Sequence, residues 1–185
     1  MVTTKILKVV LVEPAGPINV GSVARLCENF NVNELRLVSP KCNYLAQEAK
    51  WMAVRGLKIL EEAKTYKDLN SALSDCTRII ATCGRKEHGE IPLNSNKNAL
   101  SWALNSEREE TIALVFGRED RGLSNEELLK ANKVISLNTS ENYPSLNLSH
   151  AVAIILHQFN QFNNLNLLKT NKTKSNPANL LKLED

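Results

Sequence analysis

The stretch Tyr143-Pro144-Ser145-Leu146-Asn147-Leu148-Ser149-His150 joins a polar loop to the apolar run Ala151 to Leu156. Pro144 fixes its own φ and biases Tyr143 away from helical geometry. Ser145, Asn147 and Ser149 fall where a helix begins, and such side chains can satisfy the open amides of a first turn. Three other clusters of small, polar and charged residues follow or approach apolar runs: Asn19, Gly21 and Arg25; Thr82-Cys83-Gly84; and Gly117-Arg118-Glu119-Asp120-Arg121-Gly122. Several familiar chemistries are excluded. Gly117 to Gly122 has the G-x-x-x-x-G spacing of a phosphate-binding P-loop, but Leu123 stands where that loop needs lysine. There is no G-x-G-x-x-G for a dinucleotide and no G-x-S-x-G nucleophile turn. His88, His150 and His157 have no metal-ligand spacing with each other or with cysteine, and His150 and His157 read as structural residues on one helix face.

These clusters need a scaffold that brings distant segments together. Ile6 to Val12 is a continuous β-branched, apolar run, the mark of a buried parallel strand. Leu35 to Val38, Arg78 to Cys83, Thr111 to Phe116 and Val134 to Leu137 read as further strands. Between them lie helical patterns: one capped by Asn19, Leu45 to Val54 stopped by Gly56, Tyr66 to Leu73, Asn98 to Leu104, and one opened by the capping box Ser124-Asn125-Glu126-Glu127. The alternation specifies an α/β fold with a mainly parallel sheet of five or six strands and helices on both faces. In such a sheet ligands bind beyond the carboxyl ends of the strands, where the glycine-bearing clusters fall. Trp51 and Trp102 sit in helical stretches and read as packing residues.

The 185 residues suit one domain with a sizeable core. The net charge of +3 and a pI near 8.7 permit an RNA partner without requiring one, since nucleic-acid-binding domains often lie above pI ~9. Cys27, Cys42, Cys76 and Cys83 form no C-x-x-C pair, so neither a zinc site nor a disulfide framework is indicated and reduced thiols are expected. No run approaches the ~18 apolar residues of a membrane span, and the N-terminus lacks a signal-peptide core. After Phe162 the chain turns polar without a helical stripe. We expect residues 1–162 to form the domain and residues 163–185 a polar tail or the start of a C-terminal extension.

Three segments together resemble the motifs of the SPOUT superfamily of RNA methyltransferases: Asn19-Val20-Gly21-Ser22-Val23-Ala24-Arg25, Leu114-Val115-Phe116-Gly117-Arg118-Glu119, and Ser145-Leu146-Asn147-Leu148-Ser149-His150-Ala151-Val152. Val12-Glu13-Pro14, Thr82-Cys83-Gly84-Arg85 and Gly122 to Glu127 look most like its TrmJ group, which methylates the ribose 2′-hydroxyl at position 32 of the tRNA anticodon loop. The resemblance covers roughly Lys8 to Phe159. It implies a deep C-terminal trefoil knot and a cytoplasmic homodimer with shared active sites. It further implies S-adenosylmethionine held, largely through backbone, by Thr82, Cys83, Gly84, Gly117, Leu137, Pro144, Ser145 and Leu146. No metal or membrane is implied, and the partner is tRNA.

By the same resemblance Arg25, Asn19, Glu119, Ser145 and Asn147 are the catalytic set. A guanidinium keeps its proton at neutral pH, so Arg25 is expected to hold a phosphate or a developing alkoxide rather than act as a base. Arg85, Lys86, Arg118 and Arg121 are expected at the rim as phosphate contacts. The alternatives are the same chemistry on ribosomal RNA, or an RNA-binding protein of this fold without catalysis.

Overall fold

A computed structural model of the chain describes residues 5–84, 89–106, 108–137, 139–140, 142–143 and 145–174, with side chains described as far as residue 165. Six strands form one sheet: β1 (Lys5–Val12), β2 (Glu34–Val38), β3 (Lys64–Tyr66), β4 (Arg78–Thr82), β5 (Glu110–Phe116) and β6 (Lys133–Ile135), in the order β3-β2-β1-β5-β4-β6. All five pairings are parallel, and the longest runs from Lys5↔Glu110 to Leu11↔Phe116 between β1 and β5. Helices α1 (Pro17–Asn29), α2 (Gln47–Ala53), α3 (Leu57–Glu61), α4 (Leu69–Leu73), α5 (Asn96–Leu104), α6 (Asn125–Leu128) and α7 (Leu148–Lys174) join and cover the strands.

The central strands are apolar on both faces because both faces are covered. Leu7, Val9 and Leu11 of β1 pack with α1, α5 and α7, while Val10 and Val12 face the smaller layer containing Leu69, Ala72 and Leu128. On that second face Arg36 is only 2% exposed; its guanidinium bonds Asp75 through both terminal nitrogens and also engages Glu34. Lys8, also buried, donates to Asp75 at 2.6 Å.

Several local expectations change. Tyr66 to Leu73 is not one helix: Lys64–Tyr66 is an edge strand and the helix begins only at Leu69, capped by Asp68. Three residues on a sheet edge bury too little to leave a pattern in sequence. Asn19 does not cap α1. Gly16 is the N-cap and Pro17 opens the first turn, where its fixed φ suits a helix. Gly56 does not end a helix; it closes the 3-10 turn Val54–Gly56 that links α2 to α3. A Cβ there would lie 2.4 Å from the Ala24 carbonyl oxygen, and one on Gly21 would lie 2.1 Å from that of Ala49. The two glycines therefore let α1 and the α2–α3 turn touch backbone to backbone. Trp51 is 71% exposed, contrary to a packing role. The polar stretch after Phe162 continues as helix to Lys174, carried by propagation from the buried part of α7.

Candidate active site

The strand order places β1 beside β5, and the chain leaves these strands in different directions: β1 leads to β2 on one side, whereas β5 is followed by β6 beyond β4. The loops after β1 and β5 therefore part above the sheet, the usual place for a ligand crevice. A cleft opens on the β5 side of this divide, between the segments that follow β4, β5 and β6, lined by Thr82 to Gly84, Phe116 to Gly122, Leu137, Ser145, Leu146, Leu148 and Ala151. Every described residue expected to hold a cofactor lines it. Pro144 lies outside the described residues, as do Arg85 and Lys86.

Its walls are fixed from below. Thr82 Oγ1 donates to the Val115 carbonyl at 3.0 Å, and the Cys83 amide donates to the Ile135 carbonyl at 2.8 Å, tying the end of β4 to both neighbours. The Gly117–Gly122 loop is closed by two backbone bonds between Arg118 and Gly122, and Gly122 adopts φ +68°. An L side chain is strained at that φ. Gly117 serves the loop as well as the cleft: a Cβ on it would lie 2.3 Å from Gly122 C and Leu123 N. A Cβ on Gly84 would meet no atom within 4 Å, so a glycine there leaves space in the cleft wall.

The catalytic set divides. Glu119 accepts from the Ala15 amide (3.1 Å), the Gly16 amide (3.2 Å) and Asn19 Nδ2 (3.1 Å). Asn19 Oδ1 accepts from Asn147 Nδ2 at 3.0 Å, and Asn147 Oδ1 accepts from the Ser149 amide and hydroxyl. One polar chain thus joins the ends of β1 and β5 to the start of α7, uniting the three segments singled out in the sequence. Glu119 also places a carboxylate at the N-terminus of α1, where a negative charge is favoured. Ser145 is exposed at the cleft edge.

Arg25 stands apart. It follows Asn19 by six residues, about 9 Å along the helix axis and about 240° around it, so the two side chains leave different faces. It is exposed, lines none of the clefts described here, and forms no ion pair with any described residue.

Arg118 is not the rim cation expected. It holds Glu127 through both terminal nitrogens (2.8 and 2.9 Å), and Nε donates to Glu13 at 2.6 Å. Its bond holds the Glu13 carboxyl below the usual carboxylate range. Arg121 and Lys41 also approach Glu13 but remain largely exposed. Sequence reasoning found Glu127 only as part of a capping box, which it also forms. It gave no role to Glu13 as the anchor of three cations.

A second cleft abuts the first. Glu119, Ser145 and Leu146 line both, and Thr139, Ser140, Tyr143, Asn147 and His150 complete it. His150 and His157 are both exposed on α7. Among the described residues no group of three or more His, Cys, Asp or Glu side chains could hold a metal ion, and no helix is long and apolar enough to cross a membrane.

Comparison with known proteins agrees with this architecture. The chain is 41% identical over 156 residues to the tRNA (cytidine-2′-O-)-methyltransferase TrmJ of Methanocaldococcus jannaschii, an alignment covering 82% of this chain and 66% of that protein. The chain thus spans just under two thirds of that relative's length. Among solved structures, a probable methylase family protein from Haemophilus influenzae Rd KW20 superimposes with a TM-score of 0.79 at 29% identity, covering 90% of this chain and 69% of that one. TrmJ from Z. mobilis ZM4 gives 0.77 at 26% identity, covering 85% of this chain and 70% of that one. The model of the SpoU rRNA methylase family matches residues 6–157. This chain belongs to the SpoU rRNA methylase family.

Proposed function

We propose that the chain is an S-adenosylmethionine-dependent 2′-O-ribose methyltransferase acting on tRNA, at a cytidine or uridine at position 32 of the anticodon loop. The observation that carries this reading is the Glu119–Asn19–Asn147 chain, which ties three motif segments together beside the cleft that Glu119 lines. The tRNA 2′-O-methyltransferase activity of the Methanocaldococcus jannaschii relative supports the tRNA substrate. Position 32 rests on the TrmJ-like segments around Glu13, Thr82 and Gly122.

Thr82, Cys83, Gly84, Gly117, Leu137, Ser145 and Leu146 would hold the cofactor, with Pro144 added by the resemblance. The residues fit it: the leucines and Ala151 offer an apolar wall, the strand ends offer backbone donors and acceptors, and Gly84 leaves space for a ligand. Bound there, S-adenosylmethionine supplies an electrophilic methyl group on a sulfonium, delivered by in-line displacement to a ribose 2′-oxygen with loss of the thioether. The protein's own work is positioning and charge stabilisation. Ser145 orients the ribose at the edge the two clefts share, and Asn147 and Asn19, engaged with Ser149, each other and Glu119, position the segments around it. The oxygens of Glu119 already accept from the Ala15 and Gly16 amides just before α1 and from Asn19, so it anchors this array. The ribose proton leaves to water or an RNA phosphate oxygen.

Arg25 enters from a second copy of the chain. That arrangement accounts for its separation from its own cleft and for the apolar side chains of Ile18, Trp51, Met52 and Val54 left exposed on α1 and the α2 end. A homodimer is therefore part of the proposal, as is the trefoil knot. The convergence of the loops after β4, β5 and β6 on one cleft supports the knot. Residues 163–185 are proposed as the start of an extension from the domain, and a tRNA substrate fits a cytoplasmic enzyme.

Calorimetric titration with S-adenosylmethionine tests the core of this reading. Stoichiometric binding by the parent and loss of binding in Gly84→Leu, with the fold retained, is expected. A parent that binds no cofactor would leave RNA binding without catalysis as the better reading. A second substrate class, ribosomal RNA, is favoured by the description of the matched family itself. Competition between bulk tRNA and ribosomal RNA for methylation separates the two.

A further inference from the structure

We propose that the second cleft is a nucleobase subsite, in which the target pyrimidine stacks on the ring of Tyr143 beside the methyl-donor cleft. The inference rests on the methyltransferase reading and adds to it where the base goes and what holds it. The two clefts share Glu119, Ser145 and Leu146, so groups bound in them would be neighbours. A ribose presented at the shared edge carries its base with it, one glycosidic bond away. The first cleft is committed to the donor; a third cleft also touches it, through Leu137 and Leu146, but only the second shares Glu119 and Ser145 among the described residues.

The lining suits a base. Tyr143 is 77% exposed. The other two tyrosines are engaged: Tyr66 lies under the Arg36 guanidinium at 5.2 Å, and Tyr44 packs against the main core. An exposed ring on a loop beside a reaction site is a stacking surface for an unpaired base, the usual mode of recognition in RNA loops. His150, from the first turn of α7, adds a second ring whose nitrogens can donate or accept according to tautomer. Asn147 has little capacity left for reading a base edge, because Oδ1 accepts twice from Ser149 and Nδ2 is bonded to Asn19. With Asn147 engaged, the main contact is the ring face, which cytosine and uracil both present, and His150 supplies the polar contact.

The test compares the parent, Tyr143→Ala and Tyr143→Phe, using bulk tRNA and S-adenosylmethionine. Tyr143→Ala should raise KM for tRNA by roughly 5- to 150-fold, the range expected for one lost base stack. Tyr143→Phe, which keeps the ring, should recover most of that loss. Cofactor affinity by calorimetry should be the same in all three. A Tyr143→Ala enzyme with the parent KM for tRNA overturns the inference. So does one that loses cofactor affinity in step with tRNA, which would make Tyr143 part of the donor site. A parent that neither binds the cofactor nor methylates tRNA removes the underlying reading, and the inference with it.

Discussion

Replacing Glu119 by glutamine tests whether this carboxylate anchors the site or takes part in the chemistry. The substitution preserves shape but exchanges one acceptor oxygen for an NH2 group that cannot accept. One of the three donors at Ala15, Gly16 and Asn19 then faces another donor. A hydrogen bond to a charged group contributes about 1.5–3 kcal/mol when buried, and the charge at the start of α1 about 0.3–1 kcal/mol more. Glu119 is partly exposed, so a net loss of about 1–2 kcal/mol is expected, or roughly 3–6 °C in melting temperature for a chain of this size. Thermal unfolding reads the loss, and faster amide exchange at Ala15 and Gly16 locates it. Combining Glu119→Gln with Asn19→Ala should be less than additive, because both break one polar chain. Unchanged stability and exchange together with abolished methylation would refute the anchoring role and place the carboxylate in the chemistry.

Gly117→Ala is expected to destabilise the Gly117–Gly122 loop, because its Cβ meets backbone rather than a movable side chain, so melting temperature and cofactor affinity should fall together. Arg25→Ala should abolish methylation without altering cofactor binding, and mixing it with Asn147→Ala subunits should restore activity through hybrid dimers; absence of rescue in hybrids shown to form would argue against shared sites. Asp75→Asn leaves the buried Arg36 and Lys8 short of a counter-charge and is expected to cost about 2–3 kcal/mol by chemical denaturation, after allowing for the half-exposed Asp75. Arg36 holds the Asp75 carboxyl well below its unfolded value near 3.9, so its contribution is complete above about pH 5 and disappears as pH falls through the lower folded value. Stability curves for the parent and Asp75→Asn should therefore converge on acidification, and parallel curves would contradict the pairing.

The buried parallel strands were legible because β1, β5 and the ends of β4 and β6 are unbroken apolar runs between glycine-bearing loops. The cleft followed from the rule that such loops gather at the carboxyl ends of strands. What sequence could not show was direction. Asn19 reads in sequence as a helix cap, yet its side chain joins Glu119 to Asn147, from segments 100 and 128 residues away. Arg118 looked like a rim cation, but its partners are Glu13, from the loop after β1, and Glu127, from α6, and only the tertiary fold brings these together. Gly117 was expected against a ligand, and its tightest constraint proves to be Gly122 and Leu123. The edge strand Lys64–Tyr66 was missed because three half-exposed residues carry no period.

Transfer of an isotopically labelled methyl group from S-adenosylmethionine to bulk tRNA, followed by nuclease mapping of the labelled nucleotides, addresses the central claim most directly. The label should appear on a ribose 2′-oxygen of a pyrimidine in the anticodon loop, and should vanish with Arg25→Ala and Asn147→Ala. Label on a base, or no transfer to tRNA by an enzyme that binds the cofactor, would contradict it.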